Sequence, residues 1–142
     1  LDNKISLQYD IDGSDFTMAG EASSSLKKVL KQLGVAPETI RRAAISMYEA
    51  EINAVIHAGG GVARIEISPD KIYISVKDNG PGIEDVEKAM QEGFSTAPES
   101  IREMGFGAGM GLPNIKRYSD DVKITTKVHS GTTVEMTINI KQ

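Results

Sequence analysis

Three short segments combine residue types that can do chemistry. In the first, Glu49 and Asn53 stand four apart in a stretch where Ile45, Ile52 and Ile56 recur at helical spacing. With Glu49 as origin and about 100° per residue, Asn53 lies at about +40°, Ile56 at about −20°, Ile45 at about −40° and Ile52 at about −60°. The acid and the amide therefore share an isoleucine stripe, whereas Glu51, at about 200°, is expected to face solvent. A carboxylate and an amide on a core-facing stripe need partners, because an unpaired buried polar group costs about 1–3 kcal/mol. Two readings fit them. They are a polar pair capping the edge of the core, or a Mg2+ ligand at Asn53 with a general base, Glu49, one helical turn away.

The second segment is Asp78-Asn79-Gly80-Pro81-Gly82, at the end of an alternating apolar run. An Asp at a strand end can accept a hydrogen bond from an exocyclic amine such as adenine offers, and Gly80 and Gly82 leave room for a flat ring. Asp-x-Gly-x-Gly also describes ordinary turns. The third segment runs Gly105-Phe106-Gly107-Ala108-Gly109-Met110-Gly111. Alternating glycines expose backbone N–H groups, and a helix beginning near Leu112 adds partial positive charge, a combination that cradles phosphates. The alternative is a surface loop.

Other glycine-rich loops are excluded. No Gly-Lys-Ser/Thr follows, as a P-loop requires, and there is no preceding strand with an acidic residue about twenty positions on, as a dinucleotide fold needs. His-Arg-Asp and Asp-Phe-Gly, the marks of a eukaryotic-type kinase, are absent as well. Ordering about a dozen loop residues costs roughly 12–24 kcal/mol. About six to eight charge-assisted hydrogen bonds of about 1.5–3 kcal/mol each roughly match that cost. The expected behaviour is a lid that orders with its ligand.

Periodicity supplies the elements that must hold these segments. Ile5 to Ile11 alternates as an edge strand and ends at Asp12-Gly13. Leu26, Val29, Leu30 and Leu33 mark a helix from Gly20 to Leu33, with Gly34 as a left-handed cap. Pro37 opens a longer helix to about Ala58, which stops at Gly59-Gly60-Gly61. Ala63, Ile65 and Ile67, then Ile72, Ile74 and Val76, form a hairpin across Pro69-Asp70. A short helix over Glu84 to Met90, a mobile loop from Gly93 to Gly111 and a helix from Leu112 to about Tyr118 follow. Val122 to Val128 and Thr132 to Ile140 close the chain as a second hairpin across His129-Ser130-Gly131. The predicted fold class is α+β, a two-layer α/β sandwich with helices on one face of a mixed sheet, in one domain over residues 1–142.

Composition narrows the setting. The 142 residues include no cysteine, which excludes zinc fingers, iron–sulfur clusters, thiol catalysis and a disulfide scaffold. Sixteen basic against 20 acidic residues give a net charge of −4, and without a Lys/Arg run nucleic acid is not an expected partner. No apolar run reaches the roughly 18 residues of a membrane span, and Leu1-Asp2-Asn3-Lys4 lacks the layout of a signal peptide. A soluble, cytoplasmic setting away from the membrane is expected.

Taken in order, Glu49-x-x-x-Asn53, Asp78-x-Gly80-x-Gly82, Gly105 to Gly111 and Gly131-Thr132-Thr133 resemble the motifs of the GHKL, or Bergerat-fold, ATPases and kinases. Glu92-Gly93-Phe94-Ser95-Thr96 and Gly109-Met110-Gly111-Leu112-Pro113-Asn114-Ile115-Lys116-Arg117 look like the lid of its small anti-sigma-factor and switch serine kinase branch (RsbT/RsbW-like). The resemblance covers nearly the whole chain.

It implies a Bergerat-type sandwich, ATP as substrate with ADP as product, and Mg2+ held by Asn53. Glu49 would take the proton from the attacking hydroxyl. Asp78 would bind the adenine amino group directly and through a water shared with Thr133. Gly80 and Gly82 would shape the adenine pocket, and the backbone around Gly105, Gly107, Gly109 and Gly111 would close on the phosphates.

The implied partner is a small protein resembling an anti-sigma-factor antagonist, with a sigma factor as a second candidate and a homodimer as a candidate assembly. Lys116 and Arg117 suit a phosphate or partner contact or a solvated helix face. His57 suits a phosphate contact or a helix end, and Met104 and Met110 suit lid packing. Neither His57 nor His129 sits on a phosphoacceptor hairpin, so self-phosphorylation on histidine is not expected. Three functions follow: a protein serine/threonine kinase, a nucleotide-gated interaction module with little catalysis, or a detached histidine-kinase ATPase domain acting in trans.

Overall fold

The computed structural model describes residues 4–13, 19–80, 82 and 111–140. The helix expected at 84–90 lies outside the described residues, as does the loop expected from Gly93 to Gly111 except for Gly111 itself, which opens a helix. The elements are β1 (Ile5–Asp12), α1 (Glu21–Gln32), α2 (Pro37–Ala58), β2 (Gly60–Ile67), β3 (Lys71–Asp78), α3 (Gly111–Tyr118), β4 (Asp121–Lys127) and β5 (Gly131–Asn139). Each expected strand and helix in the described segments is present, most bounds displaced by a residue; β2 begins at Gly60, three residues before Ala63, and β3 runs on to Asp78, two beyond Val76.

Local chemistry sets the helix ends. After α1, the Val35 N–H donates to the Leu30 carbonyl and the Gly34 N–H to the Lys31 carbonyl, both at 3.1 Å. This is a Schellman closure, with Gly34 supplying the left-handed residue. Pro37 opens α2 at a position whose N–H would have no helical partner. Gly59 ends it in a left-handed conformation that turns the chain directly into β2.

The strands lie in the order β1-β2-β3-β5-β4, with β3 at the centre and β1 at an edge. Every neighbouring pair is antiparallel, which corrects the expected mixed sheet. Two helices separate β1 from β2. Traversed down and back, they return the chain running opposite to β1, and β5 then runs between β3 and β4 opposite to both.

The sheet's alternation builds the core. Ala63, Ile65 and Ile67 of β2, Ile72, Ile74 and Val76 of β3, and Val134, Met136 and Ile138 of β5 are buried on one face. Each large apolar side chain removed from water contributes about 1.5–3 kcal/mol. Helix α2 lies over β1, β2, β3 and β5, with α1 on one flank and α3 on the other. Ala43, Ala50 and Ala54, all buried, let it approach its neighbours closely. No helix among the described residues is long and apolar enough to cross a membrane.

Candidate functional site

One half of the site forms where α3 packs along α2. Glu49 is half-buried on α2, and burial pushes its carboxyl above the ordinary glutamate range. A hydrogen bond from the Asn114 side chain on α3 opposes that shift by favouring the charged form. Asn53, one turn along α2, faces the first residue of α3. A Cβ placed on Gly111 would stand 2.9 Å from Asn53 Oδ1 and 3.0 Å from Nδ2. With Asn53 in this rotamer, the bare Gly111 lets the α3 backbone come this close to the amide. The first residue of α3, whose N–H has no helical partner, therefore lies beside Asn53.

The other half forms at the end of β3. Asp78 stands opposite Thr132 in the β3–β5 register. Its Oδ1 accepts the Gly80 N–H at 2.9 Å and the Thr132 N–H at 3.2 Å. Both bonds use one oxygen, and no described residue bonds Oδ2. Thr132 is buried, and its hydroxyl meets that of Thr126 at 2.9 Å, so Asp78, Thr132 and Thr126 form a row across β3, β5 and β4. Gly80 packs on the last residue of α2, where an added Cβ would sit 2.5 Å from Ala58 Cβ. Gly82 lies against the backbone of Lys127 and Val128.

Two sequence expectations need correction. Thr133 pairs with Lys77, so it points to the sheet face opposite Asp78, and Thr132 is the threonine beside the carboxylate. Glu51 does not face solvent but is 2% exposed. Its Oε2 accepts the N–H groups of Gly20 (3.0 Å) and Ala22 (3.1 Å), and its Oε1 that of Ser23 (3.2 Å), which closes the N-terminus of α1 from the neighbouring helix.

Sequence reasoning did not single out Asn114 or Thr132, although both lie inside the motifs it used. An amide in the first turn after a glycine loop, and a threonine in register with the strand-end Asp, were the available signals. Gly105, Gly107, Gly109, Phe94, Phe106, Met104 and Met110 lie outside the described residues. Lys116 and Arg117 are exposed in the last turn of α3, and His129 is exposed in the β4–β5 turn.

A family model described as histidine kinase-, DNA gyrase B-, and HSP90-like ATPase matches residues 40–142, which include both halves of the site. The chain belongs to this family. ATP is the ligand that membership implies. The chain is 32% identical over 113 residues to the serine/threonine-protein kinase RsbT of Bacillus subtilis, covering 77% of this chain and 79% of that protein. An anti-sigma F factor of Caldanaerobacter subterraneus is 39% identical over 111 residues, 75% of this chain and 74% of that one. The anti-sigma F factor of Anoxybacillus flavithermus is 39% identical over 94 residues, and that match spans only 61% of its length.

Solved structures with the same fold include the RsbU and RsbW domains of Rv1364c from Mycobacterium tuberculosis. There the TM-score is 0.67 at 18% identity, over 97% of this chain and 33% of that one. The SiaB–SiaC complex of Pseudomonas aeruginosa gives 0.61 at 15% identity, over 93% of this chain and 88% of that one. At such identities the likeness is one of fold.

Proposed function

We propose that this chain is a single-domain, ATP- and Mg2+-dependent serine/threonine protein kinase and anti-sigma-type regulator. It phosphorylates or binds a small antagonist-like partner in a cytoplasmic partner-switching pathway. The observation that carries the reading is the pairing of Glu49 and Asn53 on the α2 face that meets the start of α3. The similarity to RsbT and to anti-sigma F factors supports the choice of acceptor and partner.

Adenine fits the β3 end, where Asp78 Oδ2 accepts the exocyclic amine while Oδ1 holds the turn. Gly80 and Gly82 admit the flat ring, and the row through Thr132 suits a bridging water. Between Ala58, which touches Gly80, and Glu49, α2 spans about 13 Å, the length over which ribose and phosphates extend. Gly105, Gly107 and Gly109 belong to this reading as phosphate-loop residues ahead of Gly111.

Among the described residues no group of three or more His, Cys, Asp and Glu gathers around a metal position. One amide oxygen from Asn53, with phosphate oxygens and water, suits Mg2+, which commonly keeps several waters. When bound, Mg2+ supplies charge neutralisation on the transferring phosphoryl group. Glu49 takes the proton of the partner's serine or threonine hydroxyl. The hydroxyl oxygen then bonds to the γ-phosphorus as the bond to the β–γ bridging oxygen breaks, and ADP leaves.

The test is to incubate the protein with γ-labelled ATP and Mg2+ in a soluble extract of its host. Acid-stable label on a small protein, lost with Glu49→Gln, supports the kinase. Acid-labile label points to a histidine acceptor. ATP-dependent capture of a partner without label points to a nucleotide-gated module.

A further inference from the structure

The contacts between α2 and α3 follow a single register. Gly111 lies against Asn53 and Asn114 bonds Glu49, and in the turn just after α3 Ser119 Oγ meets Ser46 Oγ at 3.0 Å and Asp120 pairs with Arg42 at 3.1 Å. Partner numbers fall along α2 as they rise along α3, as two antiparallel helices require. The far end is held firmly. Ser46 is fully buried, Asp120 also accepts the Asn139 N–H at 2.7 Å, and the Arg41 guanidinium stacks over the Tyr118 ring. With that end fixed, the first turn of α3 has one place to lie, beside the Glu49–Asn53 pair.

We infer that Asn114 is a positioning residue. From the first turn of α3 its side-chain amide fixes the orientation of the Glu49 carboxylate, so the helix that follows the phosphate loop also aims the base. A carboxylate on a helix can rotate about its side-chain bonds, and a misdirected base loses much of the advantage of proximity. An amide N–H donor held by a clamped helix removes that freedom. The same turn places Gly111 against Asn53, so a displacement of α3 would disturb the base and the proposed metal ligand together.

The inference rests on the reading of Glu49 as base, and a double-mutant cycle separates the two. Single-turnover transfer from γ-labelled Mg-ATP is followed, to water and to any labelled acceptor protein, in the wild type, Asn114→Ala, Glu49→Gln and the double variant. Asn114→Ala should slow transfer about tenfold or more while leaving the KM for Mg-ATP within about twofold. Asn114→Gln, which keeps the amide donor, should recover part of the loss. In the Glu49→Gln background, Asn114→Ala should change the rate by less than about twofold, because its target has gone.

Equal effects of Asn114→Ala in both backgrounds, or an effect confined to KM or melting temperature, would overturn the positioning role. A wild-type rate in Glu49→Gln would instead overturn the base. Should Asn114→Ala fail to fold, Asn114→Ser takes its place in the cycle. The side-chain NH2 signals of Asn114 in an 15N spectrum give a readout independent of turnover. They should move in Glu49→Ala, and unmoved signals would again overturn the contact.

Discussion

Replacing Asp78 by Asn keeps an oxygen for the N–H groups of Gly80 and Thr132 but puts an NH2 where Oδ2 stood. An NH2 cannot accept from the adenine amine, and a hydrogen bond to a charged group is worth about 1.5–3 kcal/mol. Asp78→Asn should therefore weaken ATP binding about 10- to 100-fold in calorimetry while leaving the melting temperature nearly unchanged. Glu49 makes the second residue-scale prediction. Burial raises its carboxyl pKa in the folded protein, so between the unfolded and folded values the native state binds more protons. Stability therefore falls as pH rises through that window, and ionised Glu49 works against the fold at pH 7. Glu49→Gln should melt higher than the wild type at pH 7, with the gain vanishing below the unfolded glutamate range. Phosphotransfer should show the opposite dependence, failing as pH drops below the raised value, and Glu49→Gln should lower it by about 10²- to 10⁴-fold.

Helix α1 ends in its own closure but begins on a side chain borrowed from α2. Three N–H groups, from its first turn and the residue before it, converge on Glu51, because the N-cap, Gly20, has no side chain to accept them; the Ser23 hydroxyl meets only the Gly20 carbonyl, donating at 2.9 Å. Glu51→Ala leaves those donors buried and unpaired, which should cost about 3 kcal/mol and lower the melting temperature by about 10 °C. Glu51→Gln offers one acceptor oxygen in place of two and should fall between. Hydrogen exchange should localise the loss to residues 20–24. The helical wheel put Glu51 in solvent because it assumed that one face of α2 is covered. Helix α2 instead packs on the sheet, on α1 and on α3, and which flank a second helix will cover is a tertiary fact that period alone does not contain. Thr132 and Thr133 teach the same lesson for strands. The alternation of β5 was readable, but a shift of one residue against Asp78 exchanges faces, and the register is set by pairing along the whole strand.

At the scale of the molecule, the described elements were legible because their apolar periods are strong and Gly34, Pro37 and Gly59 punctuate them. Strand direction was not legible, since it depends on which strands become neighbours, and the order that sets β5 between β3 and β4 is a tertiary fact. The two halves of the site were readable as motifs, but their meeting was not. It is α2 that joins them, with Glu49 and Asn53 against α3 and Ala58 against Gly80. That arrangement makes a prediction about the whole fold. A ligand that touches both the β3 end and the start of α3 ties the sheet to two helices, and its binding free energy adds to the stability of the native state alone. At one hundred times its dissociation constant, Mg-ATP should add about 2.7 kcal/mol, or about 6–15 °C in the melting temperature of a domain this size. Asn53→Ala should remove the part of the shift that depends on Mg2+ and keep the part that ATP gives alone, because adenine is held at the far end of α2. Asp78→Asn, which weakens the adenine contact common to ATP and Mg-ATP, should instead lower both shifts. A melt with ATP, Mg-ATP and Mg-ADP for the three proteins measures all of this. If millimolar nucleotide moved none of the curves, the two halves would not form one binding site.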